Sequence, residues 1–244
     1  MVSLLTWFMW ISSLAGPGET EAIGYLYHPS FDVPGELRGP ARPYHPAPGD
    51  IFLSTDKLWI AVIGHKLAGA KGIHHSGLII LRPDGSPGSL EAAPHHVPYV
   101  RVLGLVENMG RYEEEGNAVW VRQRKTPLTA EQCKKLTQFA MAQDGNLFAW
   151  WRVAAQVTAL RSRSHVRYSS MGTPNGDRKA YYCSELALET LLAAGLLDPN
   201  RTRPSATYPS ELFFGASDIA FINDTLDINA SWEPPARWSL YLPK

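Results

Sequence analysis

The stretch Ile73-His74-His75-Ser76-Gly77-Leu78-Ile79-Ile80-Leu81-Arg82-Pro83-Asp84-Gly85-Ser86-Pro87-Gly88-Ser89-Leu90-Glu91-Ala92-Ala93 decides the fold class. Its first nine residues end in a continuous apolar run, which suits a buried strand. Pro83-Asp84-Gly85 then closes the run, because proline presets one turn dihedral and glycine accepts a positive φ. Residues 89–93 return as a brief second strand, so the stretch predicts a hairpin and hence an antiparallel sheet. Neighbouring side chains on a strand point to opposite faces, so His74 and His75 diverge. With Gly77 two positions on, His75 at the strand start can face an open cleft and admit close approach of another backbone.

Outward from the hairpin, Pro48-Gly49-Asp50 leads into a short strand at Ile51-Phe52-Leu53, and residues 57–70 read as a buried helix. Residues 118–122 alternate and predict another strand. Thr129-Ala130-Glu131-Gln132 is a capping box, with Leu136, Phe139 and Ala140 at helical spacing behind it, so a helix is expected over 129–143. Residues 146–160 are apolar and aromatic and partly helical, whereas 161–179 read as a loop. Leu186, Leu188, Leu191 and Leu192 place a helix over 183–194, stopped by Gly195. A short helix near Pro209 and one or two late strands in Asp218-Ile219-Ala220-Phe221-Ile222-Asn223 and Trp238-Ser239-Leu240-Tyr241-Leu242 complete the pattern. The expectation is one α+β domain over 48–244, a small antiparallel sheet packed with helices.

Two segments precede it. Residues 23–47 form a proline-rich arm with little periodicity. Residues 1–22 are apolar from Val2 to Leu14, too short a run for a spanning helix, which needs about 20 residues. Ser13-Leu14-Ala15 suits signal cleavage, but no Lys or Arg precedes Arg38. Export or membrane association through this segment stands beside a docked apolar helix and a cytoplasmic chain.

Composition narrows the function. In 244 residues, 23 basic side chains balance 23 acidic ones, so there is no global field for nucleic acid, and none is expected as a partner. The 45% hydrophobic content excludes a disordered chain, and two cysteines exclude a disulfide scaffold.

Chemistry concentrates at Tyr181-Tyr182-Cys183-Ser184-Glu185-Leu186, where a thiol sits at the start of an apolar helix. The helix dipole and its unpaired amides favour thiolate there, while Glu185 opposes it. His75, distant in sequence, supplies the base that a thiol nucleophile needs. Glu91, across the hairpin, orients the imidazole, with His95 and His96 as rivals. His74, His75, His95 and His96 also suggest a metal cluster, but no second ligand motif accompanies them. Cys133 reads as a packing residue. Trp150-Trp151 reads as core, or as the lining of an acyl pocket. Asn200, Asn223 and Asn229 begin glycosylation sequons that matter only in a eukaryotic secretory route.

In order, Pro48-Gly49-Asp50-Ile51, His75-Ser76-Gly77, Leu90-Glu91-Ala92 and Tyr182-Cys183-Ser184-Glu185-Leu186 resemble the motifs of YiiX/YebB-like cysteine hydrolases. Tyr208-Pro209-Ser210-Glu211-Leu212 is similar to that family's closing segment, and the resemblance covers residues 48–215. These are circularly permuted papain-like enzymes related to NlpC peptidoglycan amidases and lecithin:retinol acyltransferase. The resemblance implies Cys183 as nucleophile, His75 as base and Glu91 as orienting acid, with no metal or organic cofactor. Tyr182 is the candidate oxyanion donor beside the Cys183 amide. The expected activity is cleavage of an amide in a peptide, peptidoglycan or N-acyl amide through an acyl-thiol intermediate. A lipid acyltransferase or phospholipase, and a non-catalytic envelope binding module, are the alternatives.

Overall fold

The computed structural model describes residues 21–30, 36–57, 72–93, 98–155, 174, 176, 178–217 and 226–243. Ten strands are described: β1 Tyr25–Tyr27, β2 Arg42–Pro43, β3 Ile51–Ser54, β4 His75–Leu81, β5 Pro87–Glu91, β6 Arg101–Gly104, β7 Val119–Arg122, β8 Leu147–Phe148, β9 Ala180–Tyr181 and β10 Ala236–Ser239. The helices are α1 Leu105–Glu114, α2 Ala130–Gln143, α3 Trp150–Ala155, α4 Cys183–Ala193, α5 Pro209–Phe214 and α6 Ile228–Ser231, with a 3₁₀ turn at Pro204–Ala206. The α+β expectation is met. The sheet is not small, however: eight strands run in the order β2-β1-β10-β7-β3-β4-β5-β6, all antiparallel, with β8 and β9 paired in parallel apart from it.

The extra width comes from segments that lack sequence periodicity. The proline-rich arm contributes β1 and β2, and β1 pairs with β10, Tyr25 opposite Ser239. The arm is therefore part of the sheet, not a separate wrapping. Asp50 locks it there. Its carboxylate is buried and accepts from the Tyr44 hydroxyl (2.9 Å), the Ala47 amide (3.2 Å) and the Arg124 amide (2.8 Å). Burial lifts this carboxyl from 3.8 to about 6 even though those donors pull it down.

Both faces of the sheet are covered. Ile51, Leu53, Leu78, Ile80 and Leu90 pack under Leu136 and Ala140 of α2 and Leu186 and Leu191 of α4. Phe52, Ile79, Val119 and Val121 face Leu105, Met109 and Tyr112 of α1. This alternation is the period-2 pattern of a sheet buried on both sides. Each fully buried Leu or Ile contributes roughly 1.5–3 kcal/mol of transfer free energy.

The hairpin forms as expected, with Leu78 opposite Leu90 and Ile79 opposite Ser89. So do the 129–143 helix, capped by Thr129 with its reciprocal Gln132 bond, and the Cys183 helix, followed by Gly195 at φ 70°. No expectation covered α1, whose buried Leu105, Met109 and Tyr112 follow a helical spacing of four and three. The expected helix over 57–70 beyond Lys57, the strand over 218–223, most of the loop over 161–179, and the N-terminal segment except its last two residues lie outside the described residues. Among the described residues no helix is long and apolar enough to cross a membrane.

Gly77 is the tightest point of the sheet. A Cβ there would lie 2.0 Å from the Phe52 ring, which crosses over it from β3. Gly77→Ala is therefore expected to cost at least about 2 kcal/mol by overpacking. Gly110→Ala, in the middle of α1 and in open space, is expected to gain roughly 0.5–1 kcal/mol from helix propensity. Urea midpoints of the two variants check the pair. Equal midpoints would contradict this packing.

Candidate active site

Four elements bring the site together. β4 supplies His75 at its first residue, β5 supplies Glu91 at its last, α1 supplies Arg111 and Tyr112, and α4 begins with Cys183. Glu91 stands two pairing positions diagonally from His75, on the same face, with Gly77 between them. Having no side chain, Gly77 leaves that diagonal open. The His75 Nε2 to Glu91 Oε2 distance is 2.9 Å, and both side chains are buried. A carboxylate only accepts, so Nε2 carries the proton of this bond. Nδ1 is then the nitrogen that meets the Cys183 thiol, with which the imidazole shares a hydrogen bond.

Tyr112, for which sequence reasoning gave no role, holds both partners. Its hydroxyl donates to Glu91 Oε2 at 3.0 Å, and its ring stacks on the imidazole at 5.6 Å and 20°. Phe52 completes a triangle of rings, 5.8 Å from the imidazole and 6.1 Å from the Tyr112 ring. Arg111 Nη2 lies 3.8 Å from Glu91 Oε1 and donates to Asn108 Oδ1 (2.5 Å), while Asn108 Nδ2 donates to Ser89 Oγ (3.0 Å). The chain Ser89–Asn108–Arg111 thereby pins α1 to β5. The four-and-three spacing of Leu105, Met109 and Tyr112 was the signal that would have found Tyr112.

Electrostatics at the pair favour charge transfer. Burial alone lowers the His75 pKa, but the hydrogen bond to Cys183 and the bond and charge of Glu91 outweigh it and lift the pKa from 6.5 to about 9. At pH 7 the charged form of the ring is then favoured. Burial raises the Cys183 thiol, yet His75 and the backbone N–H groups of Ser76 and Ser184 bring it below its ordinary value. The Ser184 amide belongs to the positive end of α4. Cys133 moves the other way, raised by burial. Cys183 remains partly accessible, which a nucleophile requires. The arrangement thus sets a thiol whose ionisation is favoured beside an oriented imidazole whose protonation is favoured, a pairing suited to attack on a carbonyl carbon.

The other sequence candidates lie as follows. His74 Nδ1 accepts from the Asp56 amide at 3.1 Å, so this histidine braces the turn after β3. The Tyr182 hydroxyl donates to the Ser205 carbonyl at 2.6 Å, and its amide lies 3.4 Å from Glu185 Oε2. Tyr182 therefore ties α4 to the 3₁₀ turn. His95 and His96 lie outside the described residues. Among the described residues no group of three or more His, Cys, Asp or Glu side chains could hold a metal ion. Trp150 and Trp151 are not core residues: they are 52% and 66% exposed. Asn200 is exposed, Asn223 lies outside the described residues, and the Asn229 amide is spent between Arg122 (2.6 Å) and the Gly215 carbonyl (3.3 Å).

No family model matches the chain, and no curated protein matches it. Among solved structures the chain is similar to the crystal structure of the metalloprotein YiiX from Escherichia coli O157:H7, at 21% identity over 62% of this chain and 67% of that one, with a TM-score of 0.43.

Proposed function

We propose that the protein is a cysteine hydrolase that cleaves an amide through a covalent acyl-thiol intermediate, on a circularly permuted papain-like fold. One observation carries the reading: the hydrogen-bonded series Cys183–His75–Glu91, buried at the histidine and carboxylate and half-buried at the cysteine. Its order, histidine before cysteine, is that of the motifs in the sequence. The Cys183 thiolate attacks the substrate carbonyl, and a C–S bond forms as the carbonyl π electrons move onto oxygen. N–H groups at the start of α4 support that oxyanion. The His75 imidazolium passes its Nδ1 proton to the leaving amine as the C–N bond breaks. Neutral His75 then takes a proton from water, the hydroxide displaces sulfur, and the thiolate–imidazolium pair returns. Glu91 holds the ring and offsets the imidazolium charge in both halves.

Peptides, peptidoglycan and N-acyl amides are the first substrate class. A lipid acyl substrate is the second reading, favoured by Tyr99, Leu147, Trp150 and Trp151, which are 45%, 50%, 52% and 66% exposed. Tyr99 bridges to Leu147, and Trp150 packs on Phe148. β8, which contains Phe148, runs beside β9, and β9 leads into Cys183.

Iodoacetamide should alkylate Cys183 faster than Cys133 at pH 7, and His75→Ala should abolish the difference, because the thiol then loses its cation. Equal rates in the unmodified protein would remove the nucleophile. Incubation with separate peptide and phospholipid mixtures should leave an acyl mass on Cys183 from one of them, which decides the substrate class. With that substrate, Glu91→Gln should lower turnover by about 10- to 1000-fold, roughly 1.4–4 kcal/mol of barrier. Tyr112→Phe keeps the stack and removes one hydrogen bond to the carboxylate, for a loss of about tenfold. Activity that needs imidazolium should fall as pH rises through about 9.

A further inference from the structure

A second set of buried charges lies beneath the first turn of α4. Glu185 is the third residue of that helix, two beyond Cys183, and is fully buried. A carboxylate so placed works against a thiolate, since like charges repel strongly where water is excluded. The fold surrounds it with compensating groups. Arg152, buried on α3, reaches Glu185 Oε2 with Nη2 at 2.7 Å and Nε at 3.1 Å, and donates to the Ala180 carbonyl. Arg178 Nη1 lies 3.4 Å from Oε1, and the Ser205 hydroxyl donates to the same oxygen. One helical turn on, the buried Glu189 lies 3.7 Å from Arg178 Nε and accepts from the Gly176 amide at 3.1 Å. Two guanidiniums thus face two carboxylates.

We propose that Arg152 is a positioning residue for Cys183: it cancels the Glu185 charge and turns that carboxylate onto the Tyr182 amide, leaving the positive end of α4 to the sulfur. The assignment rests on the reading of Cys183 as a nucleophile. A general structural ion pair would not need this place or this neighbour. Arg152 lies 33 residues from Glu185 in the chain and grips a single oxygen with two nitrogens, the kind of directed contact that arginine makes and lysine does not. The other titratable groups about the thiol, among the described residues, are His75 on β4, Glu91 on β5, Arg111 and Tyr112 on α1, and Tyr182. These stay in place when Arg152 is changed.

The test reads the Cys183 titration directly, by ultraviolet thiolate absorbance and by iodoacetamide rate against pH, in the full chain with Cys133→Ser to silence the other thiol. Arg152→Met should move the Cys183 midpoint up by about one pH unit, the order of effect of an uncancelled carboxylate two residues along the helix at the effective dielectric of a protein. Arg152→Lys should recover part of the shift. Arg152→Met combined with Glu185→Gln should return the midpoint to within about 0.3 of its starting value, because the charge that Arg152 cancels is then gone. An unmoved midpoint in Arg152→Met, or a shift that Glu185→Gln does not reverse, would overturn the proposal. If Arg152→Met does not fold, Glu185→Gln alone decides: Glu189 still faces Arg178, so one uncancelled guanidinium charge should move the midpoint down, and no change or a rise would overturn it. A wild-type Cys183 that titrates like an ordinary thiol would refute the nucleophile itself. A low Cys183 midpoint indifferent to Arg152 would refute only the role given to Arg152.

Discussion

The site depends on one register: Leu78 opposite Leu90 in the β4–β5 pair. Side chains alternate along a strand, so a slip by one residue would carry Glu91 to the α4 face and leave His75 without a carboxylate. The register is held by what lies on both faces. Leu78, Ile80 and Leu90 are buried against α2 and α4, and Ile79 is buried on the side of α1. Gly77 completes the arrangement by leaving the diagonal between imidazole and carboxylate open, with the Phe52 ring across it.

Burying the His75–Glu91 pair is costly by itself. Two charges taken from water lose more hydration than their attraction returns, and apolar residues of similar size would hold the sheet at least as well. The structure offsets that loss locally: Tyr112 donates to the carboxylate, Arg111 stands beside it, and Cys183 completes the imidazole. The same accounting applies under α4, where Glu185 is buried with Arg152 and Arg178. The first group meets Cys183 through His75, and the second lies in the helix that Cys183 begins, a placement that stability alone does not require.

Local signals made some of this legible in the sequence. The turn at 83–85, the capping box at Thr129 and the leucine spacing after Cys183 each act over a few residues, and each is reproduced. Cys183, His75 and Glu91 could be named because their types and strand positions suggested their roles. What escaped depends on partners far along the chain. β1 is three residues long and gains its place by pairing with β10, more than two hundred positions away. In α1 polar residues fill the gaps between Leu105, Met109 and Tyr112, and no side-chain cap marks its start, so Tyr112 went unnoticed. Tyr182 was read from its position next to the cysteine, but its hydroxyl is fixed by Ser205, which nothing nearby in sequence announces.

The central claim is that the resting protein holds a thiolate–imidazolium pair. Nitrogen-15 NMR of the labelled His75 ring at pH 7 tests it most directly, with Cys183→Ala as the companion sample. The account predicts protons on both ring nitrogens in the native protein, persisting until the pH approaches about 9, and a marked fall in that midpoint once the sulfur is removed. A neutral ring at pH 7 with the proton on Nε2 alone, unchanged by loss of Cys183, would contradict it.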